Sequence, residues 1–93
     1  MGVEERFVLS FSEKSEILGE LVGGQSIIEI AGDNRVLIEK HFGVEGYSRE
    51  KITVKVKFGS VIVNGRGLEL ARMNKANLVI LGKIECVSLC RRQ

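Results

Sequence analysis

The sequence predicts an all-β domain, mainly an antiparallel meander closed into a small sandwich or roll, behind one short N-terminal helix. Three observations carry this. From Ser26 onward apolar and polar residues alternate with a period of two. Glycine and asparagine, rather than helical linkers, separate the alternating runs. Only residues 10–22 repeat apolar side chains at helical spacing. A short β-solenoid is the alternative, because Gly59, Gly67 and Gly82 each stand before an alternating run. Their spacings, 8 and then 15 residues, are too irregular to favour it. At 93 residues the chain holds one domain, with a helical segment over 1–25 and a β domain over 26–93.

In the helix, Ser10 with Glu13 three residues later has the form of a capping box. Phe11, Ile17, Leu18, Leu21 and Val22 line one side, and Glu13, Lys14, Glu16 and Glu20 the other. Gly23-Gly24 ends it, since glycine takes the left-handed conformation at a helix C-terminus. Gly19 within the pattern costs up to about 1 kcal/mol relative to alanine.

The first strand carries Ile28 and Ile30 against Ile27 and Glu29. The next, over 36–42, sets Val36, Ile38, Lys40 and Phe42 against Leu37, Glu39 and His41. The cleanest covers 51–58: Ile52, Val54, Val56 and Phe58 on a dry side, Lys51, Thr53, Lys55 and Lys57 on a wet one. That contrast marks an antiparallel sheet exposed on one face. Further strands fall over 60–64, 68–71, 77–81 and 84–89, with a bulge near Glu85, because Val87 and Leu89 share a face that Ile84 does not. Turns fall at Gly32-Asp33-Asn34, at Gly43 and Gly46, at Phe58-Gly59-Ser60, at Asn64-Gly65, over 74–77 and at Gly82. Asn64-Gly65 is the strongest hairpin signal among them. Phe42 and Phe58 fall on the buried register, which leaves Tyr47 near an edge.

Composition narrows the function. With 44% apolar and 28% charged residues the chain is not a disordered one. Fourteen Lys and Arg against twelve Asp and Glu leave +2, too little to call for a polyanionic partner. The charge is uneven: residues 1–20 carry five glutamates against Arg6 and Lys14, a net −3, and the remaining 73 residues a net +5. No uncharged run is longer than the eight residues 21–28, far short of the about 20 apolar residues of a membrane span. The acidic start is unlike a secretory signal, so the chain is expected to stay in the cytoplasm where it is made.

Cys86 and Cys90 share a face of one strand but lie about 13 Å apart, at roughly 3.3 Å per residue. A disulfide needs Cα atoms about 4.4–6.8 Å apart, so they do not pair within the strand. Reduced thiols are expected, with an intermolecular disulfide as the alternative. Two cysteines and one histidine fall short of a structural zinc set, and no metal or cofactor is expected. His41 is the only histidine; as a general base it needs a substrate proton in reach and an orienting group, a part that Glu39 two residues earlier fits. The residues favour instead a histidine that fixes loop geometry. No phosphate loop or nucleophile constellation accompanies it, so no catalytic residue is assigned and no enzyme is expected. Lys51, Lys55 and Lys57, with Thr53 on the same face, form a candidate interaction surface. It is read first as a solvated face, and otherwise as a groove for single-stranded nucleic acid, an acidic protein or an anionic membrane.

The stretch Arg35-Val-Leu-Ile-Glu-Lys-His-Phe-Gly-Val-Glu-Gly-Tyr-Ser-Arg-Glu-Lys-Ile-Thr-Val-Lys resembles the YabP/YqfC family of bacterial sporulation proteins, and YqfC more than YabP. The matching positions are Ile38-Glu39, His41, Gly43, Tyr47-Ser48, the alternating strand from Ile52 to Val56, Lys57-Phe58-Gly59, Val61, Val63 and Gly65. Ile80-Leu81-Gly82-Lys83-Ile84 matches the family's closing Leu-x-Gly-x-Ile. Lys40 stands where the family usually has asparagine, and Phe42 where it has arginine or lysine. Gly23-Gly24-Gln25-Ser26 replaces its usual Leu-Pro pair. The resemblance implies a non-enzymatic protein of the mother cell, at work in spore envelope or coat assembly, beside a sporulation membrane protein or coat protein. A homo-oligomer is expected instead from the residues themselves, because an open sheet leaves unpaired edge groups and a chain this short has a marginal core. It brings no catalytic residues with it.

Overall fold

The computed structural model describes residues 25–91; the helix expected over 10–22 lies outside them. Six strands follow: β1 (Ile27–Ala31), β2 (Arg35–Glu39), β3 (Gly43–Tyr47), β4 (Lys51–Val56), β5 (Gly59–Met73) and β6 (Asn77–Arg91). They form one open sheet in the order β1-β2-β6-β5-β4-β3. Every neighbouring pair is antiparallel. The fold is therefore all-β, as expected, and the solenoid is excluded, because a solenoid stacks its strands in parallel.

The strands differ from expectation in several ways: the one expected over 36–42 ends at Glu39, where Lys40 takes a positive φ, and the one over 51–58 ends at Val56. Residues 43–47 form an edge strand where Gly43 and Gly46 had indicated only turns. The four short strands expected beyond Gly59 are two long ones of 15 residues each. Asn64-Gly65 is thus no hairpin turn but the middle of β5. A Cβ at Gly65 would run into the carbonyl oxygen of Lys83 on β6, and one at Gly82 would meet Gly67 O at 2.8 Å. These glycines are there for close approach of two backbones.

Three register shifts interrupt the β5–β6 ladder. Asn64 faces Cys86 and Gly65 faces Ile84, which leaves Glu85 unpaired and puts the expected bulge in place. Gly67 and Leu68 then oppose Gly82 alone, and Ala71 is a further extra residue on β5. Bulges bend a strand and sharpen its twist, so the long hairpin curls as it passes these points. At one end β2 pairs with residues 77–81 of β6; at the other, β4 pairs with residues 59–64 of β5. The inward side chains of both ends join one buried cluster: Val36 and Ile38 of β2, Ile52, Val54 and Val56 of β4, Val61, Val63 and Leu68 of β5, Leu78 and Ile80 of β6. Each such aliphatic side chain contributes about 1.5–3 kcal/mol on burial.

Candidate functional site

The residues singled out by motif gather at turns. Lys40, which follows β2, has a φ of +62°. Asparagine and glycine tolerate that left-handed region, whereas other side chains enter it at roughly 1–2 kcal/mol. The backbone N–H groups of Lys40 and His41 both donate to Ala76 O in the β5–β6 turn. Ser26 Oγ donates to Lys40 O at 2.8 Å.

His41 is 8% exposed. Its Nδ1 accepts the Gly43 N–H at 3.0 Å and so carries no proton, which assigns the ring proton to Nε2. Nε2 then donates to Asn74 O at 2.8 Å. Asn74 Oδ1 accepts from the N–H groups of Ala76 and Asn77 at 2.9 and 2.8 Å, an Asx turn that shapes the acceptor. His41 therefore links the β2–β3 connection to the β5–β6 turn. Both ring nitrogens are held by backbone groups, and neither is left for a substrate proton. Glu39 is buried at the end of β2, opposite Ile27 and Asn77 in the ladder.

Ser48 organises the β3–β4 turn. Its Oγ accepts from Glu50 and Lys51 N–H at 3.2 and 2.9 Å, while its own N–H donates to Lys51 O at 2.9 Å. Gly43 and Gly82, with φ of +124° and +142°, hold conformations that L side chains rarely adopt. Gly59 faces Val56 across the two-residue turn Lys57-Phe58. Lys57 and Phe58 thus stand in that turn rather than in the strand.

Lys51, Thr53 and Lys55 do share the outward face of β4, opposite Asn64, Ile62 and Ser60 of β5. Phe42 corrects the sequence reading, since it is 60% exposed, as Tyr47 is at 56%. Tyr47 faces Ile52, and Phe42 sits one position before Gly43, the partner of Lys55. Both aromatics thus carry the parity of the core face, at the ends of an edge strand where the core has run out. The lysines lie on the opposite face.

On the outward side of β1, β2 and β6 lies an open groove of about 620 Å³, lined by Glu29, Arg35, Leu37, Arg72, Val79 and Leu81. Sequence reasoning missed a further surface. β2 accompanies β6 only as far as Leu81. The N–H groups of Gly82 and Ile84 donate to Asn34 O and Asp33 O of the β1–β2 turn, at 3.3 and 2.7 Å. Beyond that, among the described residues, no strand lies beside residues 85–91 on that side. The period-two pattern holds no record of which strand stops short of its neighbour, so no local signal was there to find.

Fold and site together define a small antiparallel β domain whose motif residues clamp turns and whose long central hairpin outruns its flanking strands. The model of the YabP family matches residues 22–93. The chain belongs to the YabP family. Searches of curated proteins and of solved structures gave no match. No helix among the described residues is long and apolar enough to cross a membrane.

Proposed function

We propose that this chain is a non-enzymatic component of endospore formation that acts in spore envelope or coat assembly through contacts of its sheet, in the mother-cell cytoplasm or at the forespore surface. Family membership supports the sporulation role, and the likeness to YqfC rests on the ordered motif from Ile38-Glu39 through Gly82. The observation that carries the mechanism is the exposed border of the long hairpin. An open sheet presents unpaired N–H and C=O groups along such a border, ready to pair with another chain. The engagement of His41 by backbone groups at both nitrogens supports a role without catalysis. A deletion strain scored for heat-resistant spores tests the role: a loss is expected, rescued equally by the wild-type gene and by one that encodes His41→Asn. A His41→Asn protein that folds yet fails to rescue sinks the non-catalytic reading. Light scattering at high protein concentration tests the mechanism, and a strict monomer removes it.

A nucleic-acid module built on Lys51, Lys55 and Lys57 is the second reading. Base stacking next to a basic groove needs aromatics on the lysine face, and Phe42 and Tyr47 carry the other parity. Retention of labelled single-stranded RNA or DNA at about 50 mM salt, lost steeply as salt rises, would revive it.

A further inference from the structure

We infer that residues 85–91 of β6 form a self-complementary edge that pairs, antiparallel and centred on Ser88, with the same residues of a second copy. This rests on the assembly reading above and names its partner and its register.

The stretch reads Glu-Cys-Val-Ser-Leu-Cys-Arg. About a two-fold axis at Ser88, each residue meets one it suits. Glu85 faces Arg91 of the second copy, Cys86 faces Cys90, Val87 faces Leu89, and Ser88 faces itself. All seven positions pair; Glu85 already accepts from Arg66 Nε of its own chain at 3.0 Å, and its exposed carboxylate meets Arg91 of the second copy as a further cation. The edge opens at Glu85, where the β1–β2 turn ceases to cover it, so the free stretch and the complementary stretch coincide. Leu89 has the inward parity of Val61, its partner on β5, yet is 62% exposed because no strand lies beyond it among the described residues. A second β6 puts Val87 against that exposed side chain.

The other borders lack this property. Centred pairing of β1 would set Glu29 against Glu29, and centred pairing of β3 would set Glu45 against Glu45. Like charges directly opposite destabilise a sheet pair. The free end of β5, residues 69–73, carries Glu69 and Arg72 within its five residues, charges that blunt an edge. Among the described strands, only β6 has an edge whose five central residues are uncharged. Dimerisation there would join two six-stranded sheets through their long hairpins.

The two exposed cysteines make the register measurable. Directly opposite residues of antiparallel strands have Cα atoms about 4.5–5.5 Å apart, within disulfide reach. Diamide takes two electrons and two protons from a facing thiol pair, becomes its hydrazine and leaves one disulfide. Wild-type protein treated with diamide is expected to give covalent dimers on a non-reducing gel. Cys90→Ser protein and Cys86→Ser protein, each treated alone, are expected to stay monomeric on that gel, since like cysteines lie four residues out of register. A mixture of the two is expected to give at least ten times more covalent dimer than either alone. Cross-linking of a single variant as efficient as that of the mixture overturns the register. So does failure of the mixture when light scattering shows an oligomer, and the assembly reading then survives. Light scattering that shows only monomers overturns both. Arg91→Glu, which sets Glu85 against a second carboxylate, is expected to weaken association at least fivefold, and addition of Glu85→Arg with Arg66→Glu, which keeps the ion pair within the chain, to restore it. If the charge swap gives no rescue, the pairing is wrong.

Discussion

Lys40 and His41 show how single residues answer to backbone needs that the side-chain pattern does not display. The left-handed φ at Lys40 is a position that a short amide side chain or glycine tolerates better than a long side chain. Lys40→Asn or Lys40→Gly is therefore expected to stabilise the fold by about 0.5–1 kcal/mol, a rise in Tm of roughly 2–8 °C for a domain of this size. An unchanged or lower Tm refutes the strain argument. His41→Ala removes both ring hydrogen bonds and strands Asn74 O and the Gly43 N–H, at an expected cost of about 2–4 kcal/mol. In His41→Asn, the amide oxygen can accept the Gly43 N–H while the reach to Asn74 is lost, so about half that cost is expected. Urea midpoints give both values, and an equal loss in the two variants would show that the Gly43 bond contributes nothing.

At the scale of elements, the crossing of β5 and β6 decides the shape. Gly82→Ala forces a Cβ against Gly67 O and Leu68 Cα while it holds a φ of +142°, and an expected cost of about 3 kcal/mol or more follows from overpacking and backbone strain together. Thermal unfolding reads it; a loss below about 1 kcal/mol would mean that the two strands can move apart there. This crossing also marks where the sequence could be read and where it could not. The faces of β2 and β4 were legible because Val36, Ile38, Ile52, Val54 and Val56 report burial by simple alternation. The bulge at Glu85 was legible for the same reason, as a break in that alternation. Asn64-Gly65 misled because a glycine required for space looks the same in sequence as one required for positive φ, and the neighbour that demands the space is Lys83. β3 was missed because two of its five residues are glycine, which an edge strand beside β4 tolerates. Of the motif residues, His41 could be read as fixing loop geometry, but its partners, Asn74 and Gly43, depend on which turns meet in space.

For the whole molecule, pairing of copies along β6 predicts that stability depends on concentration. A chain of this length buries only about 60–65% of its unfolded surface, so a second copy along β6 adds a sizeable share to a modest core. Only the folded chain presents the edge, and the unfolded chain does not pair. Mass action then stabilises the dimer by about 1.4 kcal/mol for each tenfold rise in concentration above its Kd, or about 0.7 kcal/mol per chain. For a domain of 60–100 residues that is roughly 3–6 °C in Tm. Wild-type protein is expected to show this rise between dilute and concentrated samples. Leu89→Lys protein, with an ammonium group set against Val87 of the second copy, is expected to melt at one temperature throughout, because Leu89 is too exposed to matter to the monomer's own core. If Leu89→Lys protein keeps the same concentration dependence, the copies meet along some border other than β6. If wild-type protein shows none, the border stays unpaired in solution and the molecule works as a single copy.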